Sequence, residues 1–325
     1  MGEPLNQGDA PTRPAADRIP IVAGPTAVGK TAASITLAET LSAEIISADS
    51  RQIYKEFTIG TASPSQQEIE AVPHHFVKEI SIGEPYSAGI FANKVASVID
   101  NIHSRGKNVV VSGGSTLYVH ALMEGFADIP EVDARVRAEL NQRLQNEGSA
   151  VLFNELSTLD PVFAKTLDPT KSQRIIRGLE VWYGTGKMLS SFHAKPTVKS
   201  DQFQLFVLFR DRQELYARID SRVDQMIEEG LVEELRGILN THPDLEDNAF
   251  RTIGYQELLP FLLGSGNDSG GLQQAIDLIK RNSRRYAKRQ LTWYKQYPDA
   301  IWIDVSTSNA VDVMLETLAQ ARPID

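Results

Sequence analysis

Short apolar runs alternate with amphipathic stretches in the first 125 residues of the chain. The runs have the length and composition of buried parallel strands, which are predicted at 19–24, 44–49, 75–82 and 108–114. Between them, the composition of 31–41 predicts a helix, and in 88–105 apolar residues recur three and four positions apart, as in a helix packed on one side. Strands that alternate with helices in this way form a parallel sheet.

The pattern changes after about residue 125. From 130 to 195 the chain is polar and has no strand-like run, and helices are predicted at 133–145, 150–156 and 172–183. Strand-like runs return at 202–209 and 300–305. We therefore predict a core formed by 19–125 and 200–325, interrupted by an all-helical insertion at 126–199. A glycine-rich segment, 264–271, is predicted to be a flexible loop.

The composition excludes several kinds of chemistry. The 325 residues include no cysteine, so the chain has no disulfide, no thiol nucleophile and no cysteine-ligated metal. His74 and His75 are adjacent, and neighbours on an extended segment point apart, which favours loop residues over zinc ligands. No apolar run suits a membrane helix or a signal peptide, and residues 1–18 are predicted to be a disordered tail. These features favour a cytoplasmic protein with no membrane partner. A monomer is expected, although no sequence feature decides the oligomeric state.

The first predicted strand runs directly into the pattern G-x4-G-K-[ST], and a predicted helix follows it. In such a P-loop, backbone N–H groups and the positive end of the helix dipole surround phosphate oxygens. Lys30 would neutralise a phosphate, and the Thr31 hydroxyl would bind Mg²⁺. The predicted fold class is therefore α/β, a P-loop NTPase-like parallel sheet flanked by helices. The residues predicted to bind phosphate are Gly24, Pro25, Thr26, Ala27, Val28, Gly29, Lys30 and Thr31.

A carboxylate stands at the end of the second predicted strand. Asp49 should reach the same edge of the sheet as the P-loop, and α/β proteins bind ligands at that edge. It is predicted either to cap the turn together with Ser50 or to act as a general base. The run 109–111 ends in Ser112-Gly113-Gly114 without a carboxylate for Mg²⁺, which disfavours a nucleotide-hydrolysing motor. Phosphoryl transfer to a small hydroxyl substrate stays open on these grounds.

The net charge of −9 argues against a nucleic-acid partner for the chain as a whole. Residues 279–297 differ, because they contain seven Lys or Arg and no Asp or Glu. One helical face of this stretch carries Arg281, Arg284, Arg285 and Lys288. Another face, predicted to meet the core, carries Ile279, Tyr286, Trp293 and Tyr297. A charge run is often only a solvated face, but adjacent cations repel unless a polyanion neutralises them, so we predict phosphate binding here.

Further motifs follow the P-loop in a fixed order. Residues 49–54 (DSRQIY) precede Ile59-Gly60-Thr61-Ala62 and Pro73-His74-His75. Later come Gly113-Gly114, Leu117-Tyr118, 173–177 (QRIIR), Gly254-Tyr255 and 288–293 (KRQLTW). This series, which covers about 19–304, resembles the tRNA dimethylallyltransferase family, also called tRNA isopentenyltransferases.

The resemblance implies a reaction. A five-carbon prenyl group would pass from dimethylallyl diphosphate to N6 of the adenine immediately 3′ of a tRNA anticodon, giving N6-isopentenyladenosine and diphosphate. The P-loop would then hold the diphosphate of the prenyl donor rather than ATP, with Mg²⁺ as cofactor on Thr31. The catalytic residues implied are Asp49, as the base at N6, together with Thr31 and Arg222, which also binds diphosphate.

The resemblance also implies contacts with the tRNA anticodon stem-loop, partly from the helical insertion. The family's contact positions correspond to Asp49, Ser50, Arg51, Gln52, Ser115, Arg137, Gln173, Arg174, Ile175, Ile176 and Arg177. The basic stretch adds Arg281, Arg284, Arg285, Lys288 and Arg289 to the predicted tRNA-binding residues.

The chain departs from the family's usual residues at two positions. Ser115 stands where threonine is common and keeps a hydroxyl, whereas Ser63 stands where lysine is common and removes one phosphate-attracting charge. Three alternatives stay open: an adenylate (free-nucleotide) isopentenyltransferase, a P-loop small-metabolite kinase and a non-catalytic RNA-binding protein. The helical insertion and the basic stretch favour a large RNA acceptor. Intact Lys30, Thr31 and Asp49 favour an enzyme.

Overall fold

The computed structural model describes residues 18–127, 129–130, 132–192, 194–195, 200–244, 248–264 and 269–320. The strands are β1 (Ile19–Ala23), β2 (Ala43–Ser47), β3 (His74–His75), β4 (Asn108–Gly113), β5 (Phe126–Ala127), β6 (Ala194–Lys195), β7 (Phe203–Phe209) and β8 (Ile301–Asp304). Short 3-10 helices cover Leu189–Ser191, Ser200–Gln202 and Asn248–Arg251. The α-helices are α1 (Lys30–Leu41), α2 (Gln66–Ala71), α3 (Ala88–Ser104), α4 (Thr116–Met123), α5 (Ala134–Glu147), α6 (Ser149–Leu159), α7 (Pro161–Ala164), α8 (Ser172–Thr185), α9 (Arg212–Glu228), α10 (Leu231–Thr241), α11 (Tyr255–Leu263), α12 (Ser269–Tyr294) and α13 (Ala310–Gln320).

Six of the described strands form one sheet in the order β3-β2-β4-β1-β7-β8, and every neighbouring pair is parallel. Ile21 of β1 lies opposite Val111 of β4 and Leu205 of β7. These three residues belong to one core cluster, whereas Val22 of β1 belongs to a second, because alternate side chains point to opposite faces. The prediction of a parallel sheet flanked by helices is confirmed.

The third predicted strand is much shorter than expected. The sequence predicts a strand at 75–82, but β3 covers only His74–His75, and a single further bridge joins Tyr54 to Ile80. Phe76 and Lys78 have φ values of 62° and 52°. Such left-handed conformations cannot continue a strand, so the prediction for 75–82 is wrong beyond its first residue.

Two other predictions fall partly outside the described residues. The predicted tail, 1–18, lies outside them except for Arg18, whose guanidinium donates to the Gln204 side chain at 3.2 Å. In the predicted loop at 264–271, residues 265–268 lie outside them as well. Its last three residues, from Ser269, form the first turn of α12 and are not loop.

The chain divides into two compact units. Unit 1 takes its described residues from Met1–Met123 and Val198–Asp325 and contains the six-stranded sheet. Unit 2, Glu124–Thr197, contains α5 to α8 around a small apolar core that includes Leu152 and Leu179. Because β5 pairs antiparallel with β6 in unit 2, the prediction of an all-helical insertion is wrong in that detail. Strands of two residues have no periodicity for a sequence pattern to detect.

Candidate functional site

A cavity of about 580 Å³ lies in unit 1 at the carboxyl ends of β1, β2 and β4, with α9 and α12 forming other walls. This is the edge of the sheet at which α/β folds bind ligands. The cavity brings together segments that are far apart in the sequence. The predicted site residues that line it are Thr26, Lys30, Thr31, Asp49, Ser50, Arg51, Gln52, Ser115, Arg222 and Arg289.

The P-loop has the backbone conformation that its glycines predict. Gly24 has φ +144°, and a Cβ there would lie 2.6 Å from the Leu208 carbonyl oxygen, so only glycine fits. Gly29 has φ +110° just before α1 begins. The Val28 side chain is buried in the core. Val28 can therefore face a ligand only through its backbone, although the sequence includes it among the phosphate-binding residues.

Lys30 is turned towards its own loop. Its Nζ donates to the carbonyl oxygens of Gly24 at 3.1 Å and Pro25 at 2.8 Å. Burial lowers the pKa of Lys30 to about 8; the charge of Asp49 opposes this shift, and Arg222 adds to it. Burial also lowers the pKa of Arg222, again opposed by Asp49. Two cations and one carboxylate thus interact inside the cavity, although they come from α1, α9 and the end of β2.

A second cavity also borders Lys30 and Arg222. It is lined in part by the P-loop residues Gly29, Lys30 and Thr31 and by Arg222 of α9. Arg218, one turn before Arg222 on α9, lines it too, and its Nε donates to the Ala27 carbonyl oxygen at 2.9 Å. The P-loop is therefore flanked by arginines of α9, which suits an anionic ligand.

Asp49 lies in a turn that Ser115 holds in place. The Asp49 carboxylate accepts from the Arg51 backbone N–H at 2.9 Å, as a turn-capping residue does. Ser115 is 7% exposed, and its hydroxyl oxygen accepts from the Ser50 N–H at 2.8 Å. Serine thus makes a hydrogen bond at the position where the family commonly has threonine. This hydrogen bond stabilises the turn that contains Asp49.

A second wall of the cavity is fixed by Glu234 and Tyr255. The Glu234 carboxylate accepts from the N–H groups of Thr58, Ile59 and Gly60 at 2.9 to 3.3 Å, and from the Tyr255 hydroxyl at 2.6 Å. A Cβ at Gly60 would lie 2.5 Å from the Tyr255 ring, so this motif glycine is required for packing. Gly60-Thr61-Ala62 therefore forms a rigid part of the lining.

The inner face of α12 also lines the cavity. Gln290, which is 2% exposed, accepts from the Thr26 N–H at 3.2 Å and donates to the Gly114 carbonyl oxygen at 2.8 Å. It joins the P-loop to the end of β4. Tyr286 lies one turn earlier and lines the cavity, so the prediction that it faces the core is wrong. Ile279 and Tyr297 are buried and Trp293 packs against the core as predicted, although Ile279 also borders the cavity.

Two cations of α12 are neutralised by carboxylates of α9, which the sequence does not predict. Lys280 pairs with Asp224 at 2.6 Å, and Arg284 pairs with Asp220, both on α9. The prediction treats Arg284 as an unneutralised cation, and the structure gives it a carboxylate partner. Of the other predicted tRNA-binding residues of this stretch, the structure leaves exposed Arg281, Arg285, Lys288 and Arg289.

In unit 2, two of the predicted tRNA contacts meet at one carboxylate, and a third is bonded to one of these two. The guanidinium groups of Arg137 and Arg177 each donate to Glu180 at 3.0 Å, and Arg137 also donates to the Gln173 side chain at 3.2 Å. Arg174 is exposed. Ile175 and Ile176 are buried in the core of this unit, so their side chains pack the helices rather than face RNA.

Several residues that line the cavity are not among the predicted site residues. Arg251 and Gln256 flank the Gly254 motif, and Asn282 and Ser283 lie one turn before Tyr286 on α12. The available signal was the four-residue spacing of Asn282, Tyr286 and Gln290, which interrupts an otherwise apolar helix face with hydrogen-bonding groups.

Two further features concern metals and membranes. His75 pairs with Glu44 at 2.7 Å rather than with a second histidine. Among the described residues, no three or more His, Asp or Glu side chains are grouped so that they could hold a metal ion. Within the same residues, no helix is long and apolar enough to cross a membrane.

Comparison with known proteins identifies the family. The family model for IPP transferases matches residues 52–297. The chain belongs to this family. The resemblance inferred from the motifs is thereby confirmed. The family is one of prenyltransferases, as the names of its members state.

Curated relatives and solved structures agree with this assignment. The tRNA dimethylallyltransferase of Salinibacter ruber is 46% identical over 320 residues, covering 98% of this chain and 96% of the relative. A crystal structure of the tRNA isopentenylpyrophosphate transferase of Bacillus halodurans has a TM-score of 0.66 at 35% identity and covers 93% of this chain and 95% of that chain. A eukaryotic dimethylallyltransferase acting on tRNA has a TM-score of 0.76 at 27% identity, covering 95% and 81%.

Proposed function

We propose that this chain transfers a dimethylallyl group from dimethylallyl diphosphate to N6 of the adenine on the 3′ side of a tRNA anticodon. Membership of the IPP transferase family supports the reaction. The observation that carries the proposal within this chain is the single cavity shared by Lys30, Thr31, Asp49 and Arg222. It holds cations for a leaving diphosphate and a carboxylate for an attacking amine.

Asp49 is proposed as the base. The N6 lone pair of adenine is delocalised into the ring, so the amine is a poor nucleophile, and positive charge builds on it as it attacks C1 of the prenyl chain. A carboxylate can stabilise that charge and accept the proton, and such a positioned base typically contributes about 10²- to 10⁴-fold. The hydrogen bond from the Arg51 N–H keeps Asp49 in its turn and leaves the second carboxylate oxygen for a ligand.

Lys30, Arg222 and the P-loop are proposed to stabilise the leaving diphosphate. Negative charge grows on the diphosphate as the C1–O bond breaks, and buried cations act strongly on it. Lys30 would exchange its two loop carbonyl oxygens for phosphate oxygens. An allylic carbon carries partial positive charge in such a reaction, so water must be kept away from it. The side chains of Ile219, Val223 and Met226, on the cavity face of α9, offer an apolar wall for the prenyl chain.

Mg²⁺ belongs to the proposal because a diphosphate substrate generally needs a divalent cation. Thr31 would hold it: its hydroxyl is exposed at the start of α1 and has no hydrogen-bond partner among the described residues. Oxygen ligands of this kind suit Mg²⁺. When bound, the ion supplies positive charge to the diphosphate oxygens.

Recognition of tRNA is proposed to involve both units. In unit 1 the exposed cations of α12 would meet backbone phosphates, and the Asp49 turn, 49–52, would meet the target nucleotide. In unit 2 the group formed by Arg137, Gln173 and Arg177 would make further contacts, with Glu180 fixing both guanidinium groups. The cytoplasmic location and the monomeric state stay predictions.

The test is to incubate the protein with labelled dimethylallyl diphosphate, Mg²⁺ and either unmodified tRNA or AMP. Label in tRNA alone supports the proposal. Label in AMP would instead identify an adenylate prenyltransferase, and no label in either would overturn prenyl transfer. Parallel incubation with labelled ATP and metabolite acceptors tests the kinase alternative.

A further inference from the structure

Tyr286 is the only aromatic residue among the described residues that line the cavity containing Asp49. The rest of this lining is aliphatic, polar or charged. A base that leaves its stack in RNA loses stacking energy. Proteins usually compensate for this loss by stacking the base on an aromatic or apolar side chain. In this cavity only Tyr286 offers an aromatic face.

The position of Tyr286 fits that role. Its hydroxyl lies 3.5 Å from the Gly114 carbonyl oxygen, at the end of β4. Asp49 lines the same cavity. Burial, and after it the charge of Asp49, raise the pKa of Tyr286 to about 12, so the phenol stays neutral at physiological pH. An aromatic side chain in the same cavity as Asp49 is what an adenine with its amine directed at Asp49 would require.

Tyr286 is also held firmly. The Arg289 guanidinium lies over its ring, 5.6 Å from the ring centroid. One turn further along α12, Gln290 is fixed by hydrogen bonds to the P-loop and to Gly114. On the side towards α9, Lys280 and Arg284 are paired with carboxylates. A platform fixed in this way loses little entropy when a base stacks on it.

We propose that the cavity side of the Tyr286 ring is the surface on which the target base stacks after it leaves the anticodon loop. This inference rests on the proposed function, because it needs an RNA base in the cavity. It makes Tyr286 a substrate-binding residue, whereas a helix-packing residue at the same position would contribute only to stability.

The test compares three variants on the same helix. Tyr286→Leu removes the aromatic ring but keeps an apolar side chain, and Tyr286→Phe keeps the ring and removes the hydroxyl. Tyr294→Phe is the matched control, because the Tyr294 hydroxyl is buried, has no partner among the described residues and does not line the cavity. The ligand is an anticodon stem-loop RNA, used with adenine at the target position and with an abasic nucleotide there.

With the adenine RNA, Tyr286→Leu should bind roughly 5- to 150-fold more weakly than the unsubstituted protein, as expected for one lost base–aromatic stack. With the abasic RNA, the affinities of Tyr286→Leu and of the unsubstituted protein should agree within about twofold, because there is no base to stack on the ring. Tyr286→Phe and Tyr294→Phe should follow the unsubstituted protein with both RNAs. Affinity for a diphosphate monoester should be unchanged in all variants.

The inference is overturned if Tyr286→Leu binds the adenine RNA normally, or if its loss is the same with the abasic RNA. Equal losses in Tyr286→Leu and Tyr286→Phe would also overturn it, since they would assign the effect to the hydroxyl. Failure of the proposed function would look different: the unsubstituted protein would then transfer no label from dimethylallyl diphosphate to tRNA.

Discussion

The affinity of the P-loop for a diphosphate should fall as the pH rises through about 8, because Lys30 loses its proton there in the free protein. Burial is the main cause of this low pKa, and the carboxylate of Asp49 offsets it only in part. Only the protonated amine attracts phosphate oxygens. A bound diphosphate adds negative charge beside Lys30 and raises its pKa again, so binding takes up a proton at alkaline pH.

The size of the effect follows from the pKa. Above the pKa of the free protein, the protonated fraction of Lys30 falls about tenfold for each pH unit, and the apparent Kd rises in proportion. Between pH 7 and pH 9.5 we therefore expect about 30-fold weaker binding. The same pKa has a consequence for stability. The unfolded chain holds the Lys30 proton up to its ordinary pKa of 10.5 and the folded protein only to about 8, so this residue makes the free energy of unfolding rise with pH across that window.

Calorimetric titration with an unreactive diphosphate monoester measures the effect directly, because the last phosphate proton of such a ligand is lost near pH 6. Lys30→Arg is the control, since a guanidinium keeps its charge beyond about pH 12 and should give a flat profile. A Kd that stays constant from pH 7 to pH 9.5 in the unsubstituted protein would refute the reasoning. An equal fall in the Arg variant would assign the effect to another group.

Three further changes test other parts of the site. Asp49→Ala should lower turnover at least about 100-fold while tRNA binding is retained in a filter assay, and normal turnover would remove Asp49 from the mechanism. Arg285→Glu combined with Lys288→Glu should weaken tRNA binding and reduce the slope of log affinity against log salt concentration by about two. An unchanged slope would show that these two side chains are solvated and do not contact phosphate. Gln290→Leu removes its hydrogen bonds to the half-buried Thr26 N–H and to the Gly114 carbonyl oxygen and should cost about 1–3 kcal/mol in urea unfolding, so an unchanged free energy of unfolding would contradict the described hydrogen bonds.

The features that could be predicted from the sequence depend on nearby residues. The P-loop needs a strand, glycines at fixed positions and a helix, all within 19–41, and each leaves a local pattern. The parallel sheet follows for the same reason, since fully buried strands such as β1 and β4 are continuous apolar runs. Asp49 was located because parallel strands end at one edge.

The features that were missed depend on residues distant in the sequence. Helical periodicity separates the faces of α12, but it cannot tell a face that meets the core from one that lines a cavity, and Tyr286 was assigned to the wrong one. The charge of Arg284 is balanced by Asp220, which lies 64 positions away, so the local sequence contains no trace of the pair. The early end of β3 depends on left-handed backbone at Phe76 and Lys78, which neither side chain predicts.

The short antiparallel pair of β5 and β6 has a consequence for how this architecture can change in evolution. Phe126 lies opposite Lys195 and Ala127 opposite Ala194, so the chain enters and leaves unit 2 at neighbouring points, about 5 Å apart between paired Cα atoms. A segment whose ends are this close can be gained, enlarged or replaced while the rest of the chain keeps the same path. The β5–β6 pair is therefore the natural graft point at which one helical unit would be exchanged for another.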